Sequence, residues 1–338
     1  MKSDTYQDLA KTLGIDRSTV SRAVRHCPGV DSKTRKLVLE EAIRSGIHGP
    51  VDRCSVYCIL PDTPTYFWQS YYRELKEAFG QTDISVRYSI YSKIYDSETV
   101  LLYLDYVKQS EAKVLIISAV LSPEITKKLE AMQNEGLYVI LLSEYGILPR
   151  SAYVGSNSYQ DGEQIGWWFC QHYSQQTPLI LNTTSGNANV AQRISGFLHS
   201  LEQFSSIYAQ KVPVIRLTVN DFRNSKTIPA KFAAMIASIK EEYSCIYIPF
   251  GSIYLPLAIV KTNKLMRVRV SVLFGHDCFT KAGMYESVYQ GYTASCNQDI
   301  ARQVKTAIDL AVLYLKDPVL PDRQLFHFIS SKIYITLE

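Results

Sequence analysis

Long apolar runs are missing from this 338-residue chain. None reaches the roughly 20 residues that a membrane-crossing helix needs, and the first residues lack the basic-then-apolar layout of a secretion signal. The expectation is a cytoplasmic protein with no membrane partner. Disulfide and metal patterns are missing too. The seven cysteines, Cys27, Cys54, Cys58, Cys170, Cys245, Cys278 and Cys296, are odd in number, scattered, and without C-x-x-C spacing. That pattern fits reduced thiols rather than disulfides or zinc ligands. There is no G-x-S-x-G, no phosphate-binding loop and no H-E-x-x-H. His172, His199 and His276 have no evident nucleophile beside them, and the turn 182–186 is a weak phosphate cradle. The chain is therefore expected to be no enzyme, with no metal and no cofactor. Repeats and low-complexity tracts are absent as well.

Charge of one sign is scarce, and its distribution is informative. The net charge is +4; residues 1–48 carry nine Lys and Arg against six Asp and Glu, and the other 290 carry 27 against 26. The small N-terminal part is basic and the remainder nearly neutral, as expected when only one end approaches phosphates.

What is present begins at residue 5. Thr5-Tyr6-Gln7-Asp8 has the form of a capping box, and Leu9, Ala10 and Leu13 follow at helical spacing. Gly14 supplies a left-handed turn. Asp16 can cap a second helix whose inner side holds Val20, Ala23 and Val24, while Arg17, Ser18, Ser21, Arg22 and Arg25 point outward. Asp31 and Ser32 can cap a third helix to about residue 45, with Leu39, Ala42 and Ile43 available to close a three-helix core. A short helix with arginines and hydroxyls on its free face suits the major groove of DNA; the same spacing also serves an ordinary pair of surface helices.

Gly46, Gly49 and Pro50 then mark a linker. Beyond it, strands (55–60, 85–91, 114–118, 138–143) alternate with helices (66–79, 97–109, 124–135). The alternation continues with strands at 152–154, 178–182, 212–219, 245–249 and 270–275 and helices at 161–173, 190–203, 228–242 and 254–263. That pattern implies two doubly wound lobes with parallel sheets. Ligands of such folds sit at the carboxyl ends of the strands, in the cleft between lobes.

Thr19-Val20-Ser21-Arg22, followed by Val30, Lys33-Thr34-Arg35, Val38, Ala42 and Gly46, resembles the headpiece of the LacI/GalR family of bacterial transcription regulators. The body resembles the family's effector domain, itself related to periplasmic sugar-binding proteins. The anchors are Pro61-Asp62 with Phe67-Trp68, Val154-Gly155 with Asp161-Gly162, Arg193 with Gly196-Phe197, Gly275-His276-Asp277, and Asn297-Gln298-Asp299. The resemblance implies that Arg17, Ser18 and Arg22 read bases, and that Thr5, Thr19, Ser21, Arg25 and Thr34 contact phosphates. Asp31 replaces a small hydroxyl there and reads better as a helix cap. It implies further that Arg193, Asp161 and Asp277 are polar effector contacts flanked by Phe67, Trp68 and Gln298, with Asp62 as a weaker candidate. Phe67 and Trp68 can equally be helix-core aromatics, and Asp161 can be a cap for a helix starting at Gly162. An Asn-Asp pair usual after the strand ending near Pro249 is here Phe250-Gly251-Ser252-Ile253, leaving Ser252 to supply that contact.

The implied fold is an all-α helix–turn–helix headpiece (1–47), a short linker (48–54) and a two-lobed body (55–338). One lobe spans about 55–155 and 298–322, the other about 156–297 and 323–338. The implied function is a homodimeric repressor, with operator DNA and a small carbohydrate-like effector as partners. The alternative is a cytoplasmic sugar-binding or sugar-modifying α/β protein that binds no DNA. The span from Gly46 to Pro61 is roughly nine residues shorter than the family pattern and has no leucine before Leu60 to wedge into a minor groove. Binding without a hinge helix, with the head held close to the body, is expected.

Overall fold

A computed structural model describes residues 5–24, 30–45, 54–61, 66–91, 96–183, 187–204, 214–217, 244–251, 272–277 and 293–335. The expected helices at 228–242 and 254–263, and the linker from 46 to 53, lie outside these residues.

The first three helices are α1 (Thr5–Leu13), α2 (Arg17–Val24) and α3 (Ser32–Arg44). Gly14 sits at φ +64°, the left-handed conformation the turn requires. Leu9, Ala10, Val20, Ala23, Val24, Val38 and Ala42 form a small core of their own. Asp31 does cap α3, accepting from the Thr34 amide at 2.9 Å through its side chain. Leu39 departs from expectation. Position 39 lies about 100° around the helix from 38, so Val38 and Ala42 close the three-helix core while Leu39 turns elsewhere.

The chain divides into two compact units, Met1–Val154 with Ala301–His327, and Gly155–Ile300 with Phe328–Glu338. The first holds β1 (Val56–Pro61), α4 (Tyr66–Phe79), β2 (Val86–Tyr91), α5 (Ser97–Gln109), β3 (Val114–Ile117), α6 (Pro123–Asn134), β4 (Tyr138–Leu142) and most of β5 (Ser151–Gly155). Its sheet runs β11-β5-β4-β3-β1-β2, with β11 at Leu325–Phe328. The β1–β5 pairs are parallel, with Val56 level with Val86 on one side and Val114 on the other. Every residue of β1, β3, β4 and β5 is buried, as parallel strands covered on both faces demand.

The second unit holds α7 (Ser158–Tyr173), β6 (Pro178–Thr183), α8 (Ala188–Phe204), β7 (Val214–Leu217), β8 (Cys245–Ile248), β9 (Val272–His276), β10 (Ala294–Asn297) and β12 (Lys332–Ile335). Its sheet runs β12-β10-β9-β8-β6-β7, parallel except for β12 against β10. The helix α9 (Ile300–Lys316) returns the chain to the first unit. The sequence carries no signal for β11 or β12, whose side chains are mostly exposed and form no buried run. The helix expected at 161–173 starts three residues sooner, capped by the Asn157 side chain on the Gln160 amide. Asp161 is therefore no N-cap.

Candidate functional site

On α2 the buried Val20, Ala23 and Val24 hold the helix against α1 and α3. The opposite side leaves Arg17, Ser18 and Arg22 exposed and Thr19 and Ser21 half-exposed. Thr34 is half-buried, with its amide taken by Asp31. Thr5 opens α1, and Arg25 lies outside the described residues. This segment can offer two arginines and three hydroxyls to an anionic surface.

In the second unit the strands deliver a different chemistry. α7 and α8 approach closely at Gly162, Gly166 and Gly196. A Cβ on Gly162 would stand 2.0 Å from the Arg193 carbonyl oxygen, and one on Gly196 2.0 Å from that of Tyr159. The approach seats Arg193, 4% exposed, at the carboxyl ends of the strands. Its guanidinium donates to the Pro249 carbonyl at 3.2 Å and to Asp277 Oδ2 at 3.1 Å. Asp277 follows β9 at φ +54°, a left-handed conformation that aspartate tolerates better than most residues. The Gln298 amide donates to Asp277 Oδ1 at 3.0 Å and its side-chain nitrogen to Oδ2 at 2.9 Å.

Asp161, in the first turn of α7, is 2% exposed. Its Oδ2 accepts no hydrogen bond from the described residues, and Arg193 Nε donates none. Burial raises the Asp161 pKa, with Arg193 and the Ser156 hydroxyl opposing. Burial likewise disfavours the charged Arg193, but Asp277 and then Asp161 outweigh it and hold the guanidinium protonated. Four expected residues, Asp161, Arg193, Asp277 and Gln298, thus meet in one cluster.

Two neighbours were not foreseen in this role. His276 is fully buried, its Nε2 2.7 Å from the Tyr247 hydroxyl. Burial, reinforced by the Arg193 charge, pushes its pKa well below the ordinary 6.5, so the ring is neutral. A histidine directly before a motif aspartate was the available signal. In the first unit, Trp68 is 6% exposed and packs on Phe67 and Tyr71, with ring centroids 4.9 and 5.5 Å away. Tyr71 bonds to Gln303 of α9. That packing gives Trp68 a core role, whereas Phe67 is half-exposed. Asp62 and Ser252 lie outside the described residues. Among the described residues, no group of His, Cys, Asp and Glu could hold a metal ion, and no helix is long and apolar enough to cross a membrane.

Two parallel sheets with ligand-type polar groups at the strand ends define a bilobal binding fold. The chain belongs to the periplasmic binding protein domain family, which it matches over residues 56–318. No curated protein matches its sequence. Solved structures share the fold at low identity. A periplasmic solute-binding protein of an ABC transporter from Actinobacillus succinogenes, with bound D-allose, superposes with a TM-score of 0.68 at 13% identity, covering 83% of this chain and 97% of that one. The Cra transcriptional dual regulator of Pseudomonas putida, in complex with fructose 1-phosphate, gives 0.65 at 14%, covering 84% and 98%. A LacI family transcriptional regulator from Enterococcus faecium, with bound ribose, gives 0.64 at 14%, covering 82% and 96%.

Proposed function

We propose that this chain is a DNA-binding transcription regulator of the LacI/GalR type, a non-enzymatic homodimeric repressor whose operator affinity responds to a carbohydrate-like effector. The observation that carries the reading is the N-terminal trio of helices ahead of the family domain. A glycine turn joins α1 to α2, and α2 buries Val20, Ala23 and Val24 while exposing Arg17, Ser18 and Arg22. An arginine can pair bidentately with guanine O6 and N7, worth about 1–3 kcal/mol of base discrimination. One such head contacts few bases, so a two-fold dimer on a pseudo-palindrome is the natural reader. The effector would be held by Arg193, Asp161 and Asp277, whose buried polar side chains suit paired hydroxyls. The regulators that share the fold were solved with fructose 1-phosphate and ribose, which supports a sugar or sugar-phosphate class.

A gel shift of the full chain on its own upstream DNA tests this. The expected result is a salt-sensitive, sequence-specific shift that Arg22→Ala abolishes while ligand binding persists. Thermal-shift screening against sugars and sugar phosphates reads that second property, because a ligand that binds only the folded state raises its stability. The second reading, a sugar-binding protein without DNA recognition, is favoured by the allose-bound relative. It wins if no specific shift is seen, or if Arg22→Ala removes both activities equally.

A further inference from the structure

We propose that the three-helix head is a fixed extension of the first lobe, docked through α3 onto α5, and that it meets DNA in this docked state. The proposal rests on the DNA-reading assignment above and specifies how that head is positioned.

The key residue is Leu39. It is completely buried, yet it belongs to the lobe's core cluster, together with Tyr103, Tyr106 and Val107 of α5. Val38 and Ala42, on an adjoining face of the same helix, are equally buried in the head's own core. One helix thus serves two cores, which a loosely tethered module has no reason to do. Polar contacts reinforce the seam. The Tyr106 hydroxyl donates to the Leu39 carbonyl at 3.4 Å, and the Lys36 ammonium bonds to Glu98 in the first turn of α5. Arg35, between them, donates to the carbonyls of Ala23 and Val30 at 3.4 and 3.5 Å, tying the docked helix back to α2 and to Val30.

Docking leaves the reading surface open. With α3 seated on α5, Arg17, Ser18 and Arg22 of α2 remain exposed. The docked head is therefore competent to contact DNA and need not be released first. It is also a head that profits from support, because a three-helix unit of about 40 residues buries too little apolar surface to be robust alone. The consequence for a dimer is specific: two docked heads have a fixed separation, and any movement of α5 moves a head with it. Leu39 and Tyr106 are positioning residues in this scheme, acting on DNA through where they hold α2.

The test uses the full chain and an oligonucleotide that the full chain itself selects from a random-sequence library. Amide NMR relaxation should show α1 and α2 tumbling at the rate of α5. Inserting one base pair between half-sites should weaken binding about tenfold, comparable to a base mismatch. Leu39→Ser should give the head faster motion and cut the spacing penalty to within about threefold. Tyr106→Phe, which keeps the core volume, should move both readouts the same way by less, and covers the case in which Leu39→Ser does not fold. Lys36→Glu should loosen the head, and Lys36→Glu with Glu98→Lys should restore it. Independent tumbling of the head in the unaltered chain overturns the docking. A freed head in Leu39→Ser with an unchanged spacing preference overturns its role in DNA reading. If no sequence is selected while the head tumbles with the lobe, the DNA assignment falls and the docking stands.

Discussion

The two lobes solve the same architectural problem with opposite polar chemistry. Each is a six-stranded sheet covered by helices. In the first unit, the polar groups buried in and beside the sheet are neutral and several are answered by the backbone, although Ser70 Oγ and Gln133 Oε1 find no partner among the described residues. Tyr91 donates to the Ser118 carbonyl at 2.7 Å, Tyr103 to that of Ile90 at 3.1 Å, and Ser118 to that of Leu142 at 2.7 Å, while Tyr57 meets the Ser89 hydroxyl at 2.7 Å. The second unit instead buries charge at its strand ends, with Arg193 Nε and Asp161 Oδ2 left unanswered by the described residues. Satisfied neutral networks stiffen a scaffold; partly satisfied charges cost stability unless a ligand completes them. Under the function proposed above, the first sheet serves as scaffold and the second carries recognition.

The largest break in that comparison should come from Arg193→Met. It keeps most of the side-chain volume but leaves Asp277 and Asp161 buried without their counter-charge. A buried pair that loses one partner costs about 3–5 kcal/mol, so denaturant unfolding should show a loss of that size confined to the second unit. A loss below about 1 kcal/mol would mean the cluster is solvated and the contrast between lobes is false.

Gly162→Ala should follow. Alanine favours a helix over glycine by about 1 kcal/mol, yet here its methyl would meet the Arg193 carbonyl at 2.0 Å. Backbone must move, and overpacking of this kind costs about 1–3 kcal/mol net. Because the displaced residue is Arg193, ligand-induced thermal stabilisation should shrink together with the melting temperature. A stabilised variant would show that the close approach of α7 to α8 is not fixed.

What could be read from the residues alone follows from how local each signal is. The head was legible because a cap, a glycine turn and 3.6-residue spacing all act within a few residues, and the Asp31 cap is the one the structure shows. The parallel strands were legible as continuous apolar runs. Leu39 was misplaced because helical periodicity says which residues are buried, not which of two cores receives them. The strands β11 and β12 were missed because exposed edge strands lack a periodic signature. At the site, Arg193 and Asp277 stand 84 residues apart, so their pairing is a product of the fold. The share of Gln298 and the Pro249 carbonyl in it is likewise tertiary. Resemblance supplied the residues, and only the structure supplied their partners.

A subtler effect concerns pH. His276 is neutral in the folded second unit because burial, helped by Arg193, holds its pKa well below 6.5. In the unfolded chain it takes a proton near 6.5 and the folded form does not, so its contribution to stability is present above that pH and lost as pH falls. The slope approaches about 1.4 kcal/mol per pH unit. Asp161 acts with the opposite sign. Its raised pKa means the folded form keeps its proton longer, so its contribution is present below the ordinary 3.8 and lost as pH rises through the raised value. Comparing the unaltered chain with His276→Asn cancels Asp161 and every other group. The difference in unfolding free energy should shrink on acidification from pH 7.5 to 5.5. A constant difference would place the histidine in contact with water.

The smallest effect tests the scaffold side of the contrast. Tyr91→Phe removes one hydroxyl whose partner, the Ser118 carbonyl, sits at the end of β3 in the first unit. The ring remains packed, so only the hydrogen bond and the desolvation of one carbonyl are lost, about 1 kcal/mol. Because the bond is neutral, the loss should not vary between pH 5.5 and 7.5, nor should it alter ligand-induced stabilisation. If instead Tyr91→Phe changes ligand response as strongly as Gly162→Ala, then recognition is spread over both sheets, and the neutral network of the first unit belongs to the sensor rather than to its support.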